Sequence, residues 1–191
     1  MDELSTKGKF QLIGKQEFLE KSFNGASLRE IVKKSGFTLG AFYGYYANKE
    51  ALFVDIVGKK ADSLYNQCLA IHDRFFQLPE GEQHEQMQDA SKSSLLRLID
   101  LLYEDLTVFE LVFFRSIGTR YEDFLRRFID IEIDATKRYI AGLNHQGYSL
   151  QIDDEVVHIL ASAMFSGMRE VVGHHMNKEK ATVYIGKLSE F

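Results

Sequence analysis

A small set of side chains in this chain has the type and spacing to do chemistry. Glu155-Val156-Val157-His158 places a carboxylate and an imidazole three residues apart on one helix face, the spacing with which helical bundles hold a di-iron centre. Such a centre needs a second pair of the same kind and two further carboxylates. Glu170 and His174 stand four residues apart instead, which suits at most a simpler metal site. A helical metal- or ligand-binding bundle built on Glu155 and His158, reading no DNA, is therefore one reading of the sequence. The lone Cys68 cannot form an internal disulfide. With no cysteine cluster, glycine-rich phosphate loop or nucleophile elbow, the chain lacks the usual marks of an enzyme, and no cofactor or bound metal is expected.

A different chemistry, recognition of a nucleic acid, gathers nearer the N-terminus. Arg29 carries the guanidinium fork that can grip a guanine edge through two hydrogen bonds. Thr38-Leu39-Gly40-Ala41 joins a hydroxyl suited to capping a helix to side chains that are mostly small, so that a helix start can approach base edges closely. Backbone N–H groups at such a start suit phosphate, and Tyr43 follows within about a turn. The overall net charge of -5 argues against a polyanionic partner only on average. Residues 1–60 hold ten Lys and Arg against seven acids, leaving a head of +3 on a body of -8.

The elements that must position these residues read as helices. A first helix is expected over about Lys9–Lys21, ending in the turn cluster Ser22-Phe23-Asn24-Gly25. Ser27-Leu28-Arg29-Glu30 has the form of a capping box and opens a short second helix that closes before Gly36. A third opens at Thr38 and a longer fourth at Asn48. Leu28, Ile31, Val32, Phe37 and Phe42 supply a small core that fixes the second and third helices as a helix-turn-helix. Gln77–Asp89, polar and containing Pro79 and Gly81, reads as a loop, with further helices near 91–103, 106–116, 120–144, 153–176 and 178–190. No charged leader followed by an apolar run opens the chain, and no uninterrupted apolar stretch of about 18 residues occurs. The expectation is a soluble cytoplasmic protein with no membrane partner.

The stretch from Lys9 to Phe53 resembles the N-terminal domain of the TetR family of transcriptional regulators. The resemblance rests on Phe18, Phe23, Ser27, Ile31, Gly36, Thr38, Gly40, Tyr43, Tyr46, Lys49, Glu50, Ala51 and Leu52 at the family's spacing. It implies an all-α fold, with a three-helix DNA-binding domain over 1–47 and a larger helical effector-binding and dimerisation domain over 48–191, the helix from 48 connecting them. It further implies that Ser27, Thr38, Tyr43, Tyr45 and Lys49 meet backbone phosphates, while Arg29, Leu39, Gly40 and Ala41 meet bases. Ser22 stands where that family usually has glycine, Lys34 where it has a small apolar residue, Ala47 where proline is common and Gly44 where an aromatic is common.

The body carries two further expectations. The segment Asp153–Met176 is apolar nearly all round, and with the last helix it suits a four-helix interface across a two-fold axis, as the resemblance also implies. Val157, Leu160, Ala161, Met164, Met168, Val171, Tyr184 and Leu188 are the candidates for that homodimer interface. The resemblance further implies that the aromatic-rich helices before it enclose a small-molecule effector, with Tyr103, Phe113, Phe114, Arg115, Phe124 and Phe128 as candidate lining. Aromatic stripes also pack cores, and composition does not separate the two roles. With the resemblance, the reading is a DNA-binding repressor that holds a palindromic operator in double-stranded DNA as a homodimer and, as in that family, is released by its effector.

Overall fold

The computed structural model describes residues 4–188, and these are helical with no strand among them. The chain divides into two compact units. One runs to Asp62 and takes in Thr107–Phe124, while the other comprises Ser63–Leu106 and the chain from Leu125 onward.

In the first unit α1 (Thr6–Gly25) is capped by Ser5, whose hydroxyl oxygen accepts from the Gly8 N–H at 3.1 Å. Regular helical backbone breaks at Ser22, with φ 61 and ψ 167. The turn cluster anticipated after Lys21 is therefore a kink inside the helix rather than its end. α2 (Leu28–Lys34) and α3 (Leu39–Tyr43) follow, joined through Gly36 at φ 78, a conformation that glycine adopts without a Cβ clash. α4 (Lys49–Phe76) begins beyond Asn48, whose side-chain oxygen accepts from the Ala51 N–H at 2.8 Å. Rings fill the interior. Phe10 lies 5.3 Å from Phe37 and 5.4 Å from Phe42, and Phe18 and Phe23 meet Phe53 at 5.2 and 5.5 Å. Edge-to-face contacts of this kind add about 0.5–1.5 kcal/mol per pair beyond burial, so the unit is stiff for its size.

The first unit also holds most of α6 (Leu106–Phe114) and the turn leading to α7 (Phe124–His145). The Phe23 N–H donates to the Arg115 carbonyl at 2.8 Å, the Arg120 N–H to the Glu50 carboxylate at 2.9 Å, and the Tyr121 hydroxyl to Asp62 at 3.2 Å. α4 runs on from this unit into the second, which holds α7 from Leu125 onward.

The second unit packs the rest of α4 and α7 with α5 (Glu80–Leu102), α8 (Asp154–Gly173) and α9 (Lys178–Leu188). The loop anticipated over Gln77–Asp89 is mostly helix, since α5 starts at Glu80. Pro79 occupies the N-cap position and Glu80 and Glu82 face the helix's positive end, so the features that suggested a loop are those of an exposed helix start. Gln83 seals it by donating to the Leu78 carbonyl at 2.8 Å. α8 is long and apolar enough by length and composition to cross a membrane, with a mean hydropathy of 1.2. It nonetheless buries Val157, Phe165, Met168, Val171 and Val172 within its own unit, as a core helix does. Gly167 lets α9 approach, because a Cβ there would lie 2.5 Å from a Leu188 methyl carbon. The stretch anticipated as helix beyond Leu188 lies outside the described residues.

Candidate functional site

The helix-turn-helix presents one edge outward. The Ser27 hydroxyl accepts from the Glu30 N–H at 3.4 Å, and Thr38 Oγ1 accepts from the Ala41 N–H at 3.2 Å, so both residues cap the helices they open. Phe42 and Tyr46 are buried beneath, and the Tyr46 hydroxyl donates to Asp55 at 2.7 Å. On the outer side Thr38 and Gly40 are exposed, as are Leu39 at 40%, Tyr43 at 56% and Tyr45 at 53% of their surfaces. Arg29 is exposed on α2 and Ala41 is half-buried. These residues form a continuous polar and small-residue edge on a rigid aromatic support.

Lys49 is placed differently from a free phosphate ligand. Its ammonium donates to the Phe23 carbonyl at 2.5 Å and the Ala26 carbonyl at 2.9 Å, and lies 4.4 Å from the Phe23 ring centre. Burial lowers its pKa from the ordinary lysine value. Its structural task is to tie the start of α4 to the junction of α1 and α2. Glu17 performs a matching task. Its carboxylate, buried at 1% exposure, binds the ammonium groups of Lys21 and Lys34 at 2.7 Å each. Hydrogen bonds to those two lysines hold its pKa down to about 2 against the opposing effect of burial. Lys34 thus joins α2 to α1 from a position where a small apolar residue would have only packed.

A cavity of about 640 Å³, its open mouth included, lies in the second unit among α4, α5, α7 and α8. Phe75, Phe76, Leu95, Leu98 and Phe165 give it an apolar wall. Its charged lining is one pair, His72 Nε2 and Glu132 Oε2, 3.1 Å apart. His72 Nδ1 sits 2.9 Å from the Cys68 carbonyl. Burial works against a charged ring here, but the contacts with Cys68 and Glu132 outweigh it and carry the imidazole pKa up to about 10. None of Tyr103, Phe113, Phe114, Arg115, Phe124 and Phe128 is among the residues lining this cavity. Phe113, Phe114, Arg115 and Phe124 belong to the first unit. Phe128 packs between Tyr65 and Phe165, and Tyr103 donates to the Met176 carbonyl at 2.5 Å. The sequence carried a signal for the cavity in His72 and Glu132, which lie on helical faces otherwise rich in Ile, Leu and Phe.

Residues 14–56 match the family model described as bacterial regulatory proteins, tetR family. That segment, less than a quarter of the chain, carries the family's N-terminal domain. Over 41 residues it is 46% identical to an uncharacterized HTH-type transcriptional regulator, YdgC, of Bacillus subtilis (strain 168), a match spanning 22% of this chain and 21% of that protein. Among solved structures, it is similar to the transcriptional regulator FadR from Bacillus subtilis in complex with stearoyl-CoA, at 13% identity and a TM-score of 0.59 over 95% of each chain. It is likewise similar to NalD of Pseudomonas aeruginosa, the secondary repressor of the MexAB-OprM multidrug efflux pump. There the identity is 16% and the TM-score 0.58, over 97% of this chain and 94% of the other. At such identities the likeness is one of fold.

Within the TetR pattern, the serine at position 22 acquires a physical meaning. The family's usual glycine stands where this backbone turns to positive φ. The dimer candidates divide by exposure. Leu160 (62%) and Tyr184 (40%) face outward and Met164 and Leu188 are half-buried, whereas Val157, Ala161, Met168 and Val171 are buried in their own protomer. Val156, Ile159 and Val183 are exposed beside Leu160 and Tyr184. A helix apolar on every side gives no periodicity from which to choose its outer face. Glu155 and His158 both lie exposed on α8, and among the described residues no three potential metal ligands converge.

Proposed function

We propose that this chain is a TetR-family, ligand-responsive transcriptional repressor that binds a palindromic operator as a homodimer and is released by a small molecule. The observation that carries the reading is the exposed edge of the helix-turn-helix on its aromatic core. Thr38, Tyr43 and Tyr45 position the DNA backbone, with Ser27 at the start of α2, while Arg29 and Leu39–Ala41 read bases. Lys49 acts mainly by holding the α1–α2 junction against α4. The DNA-binding domain in this reading is 1–47, and 48–191 serves the effector and the second protomer.

The outward apolar residues of α8 and α9 support self-association, since a two-fold axis through them pairs like with like. Such a dimer sets two α3 helices about 34–36 Å apart, one turn of DNA. FadR with its stearoyl-CoA and the repressor NalD support a repressor answering to a lipophilic molecule. Release requires that ligand and DNA favour different conformations of the protein. Each then weakens the other by the same factor.

The test is binding to DNA flanking the chain's own gene, measured by fluorescence anisotropy over a salt series. Affinity is expected to fall linearly with salt on logarithmic axes. Tyr43→Phe should weaken binding to all sequences alike, and Arg29→Ala should cost about 1–3 kcal/mol at one base position. Binding indifferent to salt and to both substitutions would remove the proposed interface.

A further inference from the structure

The geometry points to an amphiphilic anion as the effector, its apolar tail inside the cavity of the second unit and its negative head at Arg74 and Arg97 on the cavity's rim. This deepens the ligand-responsive reading above and rests on it. The cavity continues into an open groove, because Ile71, Phe75, Ala90 and Ser94 line both. The groove adds two guanidinium groups, Arg74 from α4 and Arg97 from α5, together with Ser93, and no acid lines it. Arg74 Nε donates to the Ala70 carbonyl at 3.2 Å, which orients the group and uses one of its five donors. Two forks beside an apolar opening suit a carboxylate or phosphate, which each can grip bidentately.

The cavity's interior excludes the alternatives. Its one charged pair, His72 with Glu132, is already joined at 3.1 Å. An ionic head pushed inward would find no free counter-charge, so the charged end belongs at the rim. A cation would have to pass two arginines to reach a carboxylate already held by His72. A fully apolar ligand would leave Arg74 and Arg97 without a role.

The shared chemistry has two sources, free long-chain carboxylates and their coenzyme A thioesters, and the experiment separates them. Purified, delipidated full-length protein without DNA is titrated calorimetrically with saturated carboxylates of increasing length, the matching CoA thioesters, the methyl esters and alkyltrimethylammonium salts. One or both anion series should bind, each methylene tightening binding about fourfold until the cavity is full. The series that binds more tightly identifies the head. Methyl esters should bind at least about tenfold more weakly and the cations not detectably. Arg74→Ala with Arg97→Ala, two surface changes, should lower anion affinity about tenfold or more and leave ester affinity in place. Esters equal to carboxylates, tighter binding of the cations, no binding in either anion series, or anion affinity unchanged in the double variant would each overturn the assignment. DNA release is read separately by anisotropy. Anion binding without release supports the ligand class and refutes the regulatory reading, whereas release by other compounds without anion binding overturns the ligand class alone.

Discussion

Replacing Ser22 with glycine should stabilise the N-terminal unit even though it only removes atoms. At φ 61 and ψ 167 the backbone occupies a region nearly reserved for glycine, where another residue costs about 1–3 kcal/mol. Glycine's added freedom in the unfolded chain takes back roughly 0.4–1 kcal/mol, leaving a net gain of about 0.5–2 kcal/mol. The strained residue is held from both sides. Phe18 and Phe23 are buried, the Phe23 N–H donates to Arg115, the Ala26 N–H donates to the Ser22 carbonyl at 3.0 Å, and Lys49 grips the Phe23 and Ala26 carbonyls. Removing the Cβ should leave those contacts in place. Urea unfolding of the full chain followed by far-ultraviolet circular dichroism should show a higher midpoint for Ser22→Gly with an unchanged slope. Ser22→Ala keeps the Cβ and should give no such gain. If the alanine variant were stabilised as much as the glycine variant, or the glycine variant lost stability, strain at this residue would not be the explanation.

Three other perturbations test the remaining structural claims. Glu17→Gln should cost about 1–2 kcal/mol near neutral pH, a figure discounted because both lysine partners are more than a third exposed. A carboxylate whose pKa is depressed to about 2 contributes stability present above its unfolded value near 4.5 and lost as pH falls toward 2, so the variant's acid unfolding curve should be flatter in that window. His72 has the opposite sign. Raised to about 10, it contributes stability that is complete below pH 6.5 and lost as pH rises toward 10. Thermal melts should show that alkaline loss, of about 1.5–3 kcal/mol, in the natural protein and not in His72→Gln. Leu160→Glu should weaken self-association by roughly 2 kcal/mol or more, seen as monomer in light scattering, while circular dichroism stays unchanged because Leu160 is 62% exposed.

The reading head was legible in the sequence because its determinants are local. A cap, a short apolar pattern and a turn glycine lie within about one helix length of one another, so Ser27, Gly36 and Thr38 mark α2 and α3 without knowledge of distant residues. Lys49 shows where that legibility ends. Its position suggested phosphate, but its partners are carbonyls 26 and 23 residues earlier, freed by a kink at Ser22. No local pattern reports such a bond. Glu17 is similar, since its i+4 partner Lys21 could be read from spacing while Lys34, 17 residues on, depends on how α2 folds back on α1.

The ligand end is less legible for a further reason. Candidate lining was sought where aromatic residues were densest, between Tyr103 and Phe128, but density marks burial of any kind. Much of that region closes the first unit, with Phe109, Tyr121 and Phe124 fully buried there. The cavity is instead assembled from four helices contributing a few residues each, and one of them, α5, begins inside a stretch that its polar composition made look like a loop. Arg74 and Arg97 share a rim only because α5 returns alongside α4 after the short turn at Pro79. Had Gln77–Asp89 been a mobile loop, nothing would have constrained α5's register and the two arginines could have faced any direction. Pro79 and Gln83 therefore matter to the cavity although neither lines it. They fix where α5 starts, and through it which side chains reach the mouth.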